Sequence, residues 1–420
     1  MNKEPIVITG IGMITSLGRD RESVWNRICS GSNGIKKVRD NQSGIPDWLD
    51  VAAYVDSEAI NLPSKLKVIQ LAHQAAEEAI SDAQIDFTDI DTERFGCAVS
   101  GHMGDWQWLR EAHGFATEKD SGDGQKTWNQ FLPNSGCWDI ATRFGLLGPR
   151  ICHSTACASG LIDIMSAVRA IRDNQADIAL AGSGEAIDPL FAAGFKKMRV
   201  LAETEDPNSA CLPFSRNRRG FVMGEGAAMF VIERLSHALA RGATIYAEIV
   251  SSRTLADAHH VTGLDMESES LTRLISETIR SGEMTPEDIG YINAHGTGTI
   301  QNDLMETRGI RKAFGRHADS ICVSSLKSTL GHLVNASGSV ELALSTLALR
   351  DGFLPPTLNL HDHDPECNLD YVPIKGRSSR VQSAMKLSLA FGGHLVAMAI
   401  RRWNDAESGF SYPQVEKRAA

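Results

Sequence analysis

Long charge-free apolar runs are missing from this 420-residue chain. None reaches the ~18–20 residues that a membrane-spanning helix needs, so no insertion into a bilayer is expected. A basic excess is missing as well: 42 Lys and Arg stand against 52 Asp and Glu, a net charge of −10, which argues against a nucleic-acid partner. No Cys-x-x-Cys pair occurs among the eight cysteines, Cys29, Cys97, Cys137, Cys152, Cys157, Cys211, Cys322 and Cys367. That excludes the common zinc and dithiol signatures and fits reduced thiols in a cytoplasmic protein. No apolar leader precedes the strand-like Ile6-Val7-Ile8-Thr9, so no secretory signal is expected. Two motif look-alikes are incomplete. Gly10-Ile11-Gly12 lacks the third glycine and the later acidic residue of a dinucleotide site. His361-Asp362-His363-Asp364 follows Pro355-Pro356 without matching distant ligands and reads as a solvated loop, so no metal is expected.

What is present is globular: 42% hydrophobic and 22% charged residues, with no Pro-rich or low-complexity linker. Short β-branched runs alternate with Ala-rich helical stretches, the grammar of an α/β fold. Leu71, Ala75, Ala76 and Ala79 recur at helical spacing within 67–83, and 97–100, 176–181, 227–233 and 244–251 read as strands. The pattern occurs twice. Gly148-Pro149-Arg150-Ile151 leads through Cys157 into a small-residue helix at 158–172. Ile321-Cys322-Val323-Ser324 leads through Lys327 and Gly331-His332 into another at 336–350. The simplest reading is two similar α/β halves, 1–250 and 251–403, with a polar tail over 404–420.

Four elements carry chemistry. In His153-Ser154-Thr155-Ala156-Cys157-Ala158-Ser159-Gly160, a cysteine sits at a strand-to-helix turn among small residues. The positive end of the following helix is expected to lower its pKa, although most cysteines are simply buried small hydrophobes. Asn293-Ala294-His295-Gly296-Thr297-Gly298-Thr299 ends an apolar strand in a histidine, which can donate to a developing oxyanion or merely cap a turn. The segment 323–332 supplies Lys327 and His332, with Glu341 following; alone, Lys327 reads as a surface lysine. Ala390-Phe391-Gly392-Gly393 has the flexible backbone to offer an N–H to an oxyanion.

In this order, the four elements resemble the β-ketoacyl-[acyl-carrier-protein] synthases, condensing enzymes of the thiolase fold, over about residues 4–402. Asp257, His260, Asp303, Glu306, the segment 220–226 and Pro355-Pro356-Thr357 extend the likeness. The resemblance implies two thiolase-like halves stacked as α-β-α-β-α layers. It implies an acyltransferase that moves an acyl group from a carrier protein onto Cys157, decarboxylates malonyl-carrier protein, and joins the two by Claisen condensation. It assigns His295 and His332 to the malonyl thioester oxygen, Phe391 to the oxyanion hole and gate, and Lys327 to the local field. Glu341, Thr297, Thr299, Asp303 and Glu306 support them, His102 lines the acyl pocket, and Lys65 and Lys67, with Lys126 and Arg216, meet the acidic carrier. No cofactor is implied. A homodimer is, with 133–138 as the crossing segment.

The chain departs from the family in places. His394-Leu395 follows Gly393 where Thr-Asn is usual, Leu389-Ala390 replaces Phe-Gly, and Leu212 stands where an arginine often precedes Pro213. His102-Met103 occupies a position that is small and apolar in relatives, which implies a specialised rather than a plain long saturated acyl chain. Two alternatives compete. A chain-length-factor-like subunit would have lost the cysteine, and a thiolase would carry a second one in the segment 390–394.

Overall fold

The computed structural model describes residues 4–38, 45–56, 65–101, 130 and 132–404. Ten strands form one mixed sheet: β1 Ile6–Thr15, β2 Phe95–Ser100, β3 Arg150–Ile151, β4 Ile178–Glu185, β5 Gly226–Arg234, β6 Ala247–Ala256, β7 Ile289–Asn293, β8 Cys322–Ser324, β9 Ser383–Ala390 and β10 His394–Arg402. Their spatial order is β8-β7-β9-β10-β6-β1-β5-β4-β2-β3. Read outward from the middle, β1-β5-β4-β2-β3 and β6-β10-β9-β7-β8 are the same arrangement. In each set the strand beside the first runs antiparallel to both its neighbours, and the outer pairs are parallel. The two sets meet only at Val7↔Glu248 and Ile8↔Ala247.

Five helices complete the layers: α1 Lys67–Asp82, α2 Ser159–Arg172, α3 Glu269–Ser281, α4 Ile300–Phe314 and α5 Ser337–Asp351. In α5 every residue through Leu349 is buried, because the helix lies against α2 and against strands of both sets. Its sequence accordingly shows no polar face, and it ends at Gly352 in the left-handed conformation (φ 63°) that terminates helices. By contrast, α3 is amphipathic and buries Leu271, Leu274, Ile275, Thr278 and Ile279 on one stripe, as an outer-layer helix does. One apolar core surrounds α2 and α5, a second lies under α1, and a third under α3 and α4. With α2 and α5 between the two five-stranded sets and α1, α3 and α4 outside them, each set acts as one β layer of the α-β-α-β-α stack that the resemblance implies. The Gly10-Ile11-Gly12 segment has a packing role within it. A Cβ on Gly10 would lie 2.3 Å from the Ala79 carbonyl, and one on Gly12 1.9 Å from that of Ala75, so both glycines let α1 sit down on β1.

The expected division at residue 250 falls inside β6. Residues 405–420 of the expected tail lie outside the described residues. Among the described residues no helix is long and apolar enough to cross a membrane.

Candidate active site

The site lies where the two halves meet. Cys157 follows Ala156, whose φ of 48° is unusual for a residue with a side chain; the chain turns there from β3 through a short 3-10 turn into α2. Such a conformation costs of order 1–3 kcal/mol and persists only when its surroundings hold it. Here Ser159 holds it. Its Oγ accepts from the Thr155 N–H at 2.9 Å and donates to the Ala156 carbonyl at 2.8 Å. Gly160 is required at the next position, since a Cβ would lie 2.4 Å from Ser183 Oγ and 2.9 Å from the Ser339 nitrogen of α5.

Cys157 is buried, and His332 Nε2 lies 3.1 Å from its sulfur. His332 Nδ1 accepts from the Val334 N–H at 3.2 Å and also meets Ser337 Oγ at 2.9 Å. An accepting Nδ1 assigns the ring proton to Nε2, so His332 points a donor at the reacting atoms rather than a base. The His295 ring stands 5.3 Å from that of His332, nearly perpendicular to it, and Phe221 packs edge-on against His332. Burial, then the charge of Lys327, push both histidines well below the ordinary imidazole range, so both are neutral. His295 Nδ1 has no hydrogen-bond partner among the described residues, leaving polar capacity uncommitted beside the cavity.

The expectation of a thiol acidified by α2 is not met. Burial pushes the Cys157 thiol up to about 12, and the opposing pull of Lys327 and of its own backbone N–H does not offset that. The resting protein holds a neutral thiol.

Lys327 is fully buried, not a surface lysine, and its ammonium lies 2.7 Å from Glu341 Oε1. A residue the motifs did not single out completes this cluster: Lys386 of β9, equally buried, lies 2.6 Å from Glu341 Oε2 and donates to the Ala294 carbonyl at 3.1 Å. Its one sequence signal is a lysine inside an otherwise apolar strand, Met385-Lys386-Leu387.

The turn that carries His295 is clamped by α4. Glu306 accepts from the backbone N–H groups of His295 at 2.6 Å and Gly296 at 2.7 Å. One turn earlier Asp303 accepts from Gly298 at 3.2 Å and Phe214 at 2.7 Å. Thr297 and Thr299 bond each other at 2.8 Å and line the same cavity as Cys157. That cavity, ≈ 480 Å³, is also lined by His295, His332 and Phe391, with Arg199 and Arg219 on its wall. Phe391 begins the turn between β9 and β10, followed by Gly392 and Gly393 at φ 86° and 76°. His394 is the first residue of β10, paired with Ala390, so this departure closes the hairpin rather than entering the turn.

Three sequence-based assignments fare differently. Lys65 lies 2.5 Å from Asp139, and Lys67 bonds the buried Glu225 and the Val55 carbonyl. Both are therefore taken up in internal ion pairs and are withdrawn as docking residues; their partners are too distant in sequence to have been read there. His102 and Lys126 lie outside the described residues. Cys157, His295 and His332 place their donor atoms within 4.8 Å of one another, a thiol-and-imidazole set of the kind that suits zinc. The charges of Lys327 and Lys386, which act on both histidines, oppose a dication there.

Residues 3–238 match the family described as Beta-ketoacyl synthase, N-terminal domain, and residues 246–361 match its C-terminal domain. The "3-oxoacyl-[acyl-carrier-protein] synthase 2" of Coxiella burnetii is 36% identical over 405 residues, 94% of this chain and 97% of that protein. A type II polyketide ketosynthase, solved with its acyl-carrier protein and bound to the hexaketide, superposes with a TM-score of 0.87 at 31% identity, covering 96% of this chain and 100% of that one. The ishigamide ketosynthase/chain length factor superposes at 0.85 with 28% identity, again over 96% and 100%. The cysteine, the two neutral histidines beside it and the doubled sheet thus sit in a chain that belongs to the β-ketoacyl synthase family.

Proposed function

We propose that this chain catalyses decarboxylative Claisen condensation between an acyl group held on Cys157 and malonyl-[acyl-carrier protein]. The observation that carries the reading is His332 Nε2 at 3.1 Å from Cys157 Sγ, with His295 against the same cavity. In the first half-reaction the sulfur attacks an acyl-carrier thioester. The Cys157 S–H proton passes to the departing carrier thiolate, and an acyl-cysteine remains. In the second, the C–CO2 bond of the malonyl group breaks, CO2 leaves, and the electron pair becomes an enolate whose oxygen His295 and His332 stabilise. The enolate carbon attacks the acyl-cysteine, the β-ketoacyl product forms, and the released Cys157 thiolate takes up one proton. Phe391 and Cys157 offer backbone N–H groups to the tetrahedral oxyanion. No step calls for a cofactor.

Acyl-carrier protein is the proposed partner. With Lys65 and Lys67 occupied, the cations offered to an acidic carrier among the described residues include Arg216, together with Arg199 and Arg219 on the cavity wall and Lys196 and Lys197 at the end of the helix Pro189–Lys197. The exposed apolar Met198 and Ile300 line the same cavity. We also propose a homodimer formed along the edge of β3, which among the described residues pairs only with β2. A specialised acyl substrate remains the proposal for His102. The purified protein, incubated alone with acyl- and malonyl-carrier protein, should yield β-ketoacyl-carrier protein, and Cys157 should carry the acyl mass in between. Absence of product without a second subunit would support the chain-length-factor reading instead.

A further inference from the structure

The condensation chemistry above uses Cys157, His295, His332 and Phe391; it does not use Lys386, which shares the carboxylate of Glu341 with Lys327. Yet Lys386 is buried at 0% exposure in a strand where its neighbours are Met385 and Leu387, and desolvating a cation is costly unless something uses it. One carboxylate, Glu341, receives two ammonium groups, Lys327 at 2.7 Å and Lys386 at 2.6 Å, so this triad by itself carries one positive charge in excess. Lys386 reaches the histidines by two further routes. It donates to the carbonyl of Ala294, the residue before His295. Its charge also acts on Glu306, the carboxylate that clamps the His295 and Gly296 N–H groups.

We propose that Lys386 is a positioning residue of the condensation half-reaction: by holding the second oxygen of Glu341 and the Ala294 carbonyl it keeps Lys327 and His295 in place, and it supplies the excess positive charge that faces the enolate. This rests on the condensation reading. The charged and titratable groups acting on Lys386 are Glu341 from α5, Lys327 from the short helix Lys327–Leu330 and Glu306 from α4; His295 and His332 in turn feel its charge. Burial, which outweighs Glu341, draws the Lys386 ammonium down to about 8. The sign follows. Below that pH the excess charge is present and the enolate is stabilised; above it the cluster becomes neutral and decarboxylation slows. Removing the charge also lets the histidines accept protons more readily, so the acid limb moves to higher pH.

Single-turnover CO2 release from malonyl-carrier protein on pre-acylated enzyme, followed from pH 5.5 to pH 9.5, tests this. Wild type should show a basic limb near pH 8. Lys386→Met should release CO2 ~10²-fold more slowly with KM for malonyl-carrier protein within about twofold, lose the basic limb, and shift the acid limb upward. Cys157 acylation should stay within about threefold, and Lys386→Arg should recover part of the rate. Unchanged CO2 release and pH profile in Lys386→Met would overturn the proposal. If that variant does not fold, CO2 release at the wild-type rate from Lys386→Gln overturns it equally. A wild type that is acylated yet releases no CO2 would defeat the condensation reading itself, a distinct outcome.

Discussion

The two halves contain the same turn and use it differently. Ala156 at φ 48° precedes Cys157 and α2; Val334 at φ 40° precedes Asn335 and α5. Each opens a 3-10 turn, which is followed by a serine that starts a helix. In the first half the turn presents a nucleophile. In the second the equivalent residue, Asn335, sets its Oδ1 3.1 Å from Ser159 Oγ and so braces the first turn from behind, while the Val334 N–H orients His332. A duplicated backbone thus supplies reaction and support from related positions, and residue identity at one site in each copy decides which.

The largest expected break in this equivalence is at those two residues. Cys157→Ala should abolish the acyl-enzyme, seen as loss of the acyl mass shift on the active-site peptide. Asn335→Ala should retain acylation and lower stability by about 1–3 kcal/mol in denaturant unfolding, the cost of leaving buried polar groups without partners. An acylated Cys157→Ala protein, or an Asn335→Ala protein as dead as it, would remove the distinction.

Next come the histidines of the second half. His295→Ala and His332→Ala should still acylate Cys157 but release CO2 ~10²–10³-fold more slowly, the usual cost of one lost oxyanion donor. Normal CO2 release from either would end their assignment to the enolate.

How much of this was legible in the sequence depends on how local each cause is. The turns around Cys157, His295, Lys327-His332 and Phe391 are contiguous segments with their own glycines and small residues, so both the site and the doubled α/β plan could be read from them. Asp303 and Glu306 entered through the family resemblance alone; that they clamp the backbone of the His295 turn is visible only in the fold. The fates of Lys65, Lys67 and Lys386 were not, because Asp139, Glu225 and Glu341 reach them from other elements. The direction of the Cys157 shift was misread for a related reason: a helix end is visible in sequence, whereas complete burial of the sulfur is a property of the packed halves.

Stability against pH compares the buried histidines with the solvated unfolded chain. Both titrate lower folded than unfolded because burial disfavours their charged forms. Above about pH 6.5 both states are neutral and nothing is lost. As pH falls below that value the unfolded chain takes up protons that the native state refuses, and stability should drop by about 1.4 kcal/mol per pH unit for each histidine. Chemical denaturation of wild type between pH 5 and pH 7, set against His295→Leu/His332→Leu, checks this; equal slopes would mean the native state accommodates the protons.

The smallest effects should come from relaxing the two turns. Ala156→Gly and Val334→Gly each remove the cost of a side chain at positive φ, but each also makes the unfolded chain more flexible, so net stability should change by no more than about 1 kcal/mol. Val334→Gly additionally loses an apolar side chain packed against the core around α2 and α5, which places it at the destabilising end of that range. The kinetic consequences should separate cleanly. Ala156→Gly loosens the residue before the nucleophile and should slow Cys157 acylation by a few-fold, while leaving CO2 release from pre-acylated enzyme intact. Val334→Gly loosens the N–H that fixes the His332 ring and should do the reverse, because a small misplacement of an oriented group is enough to slow the step that relies on it. Burst acylation and single-turnover CO2 release, measured on both variants, tell the two apart. If both variants slow the same half-reaction, the turns act together on one step and the division of labour between the halves is wrong.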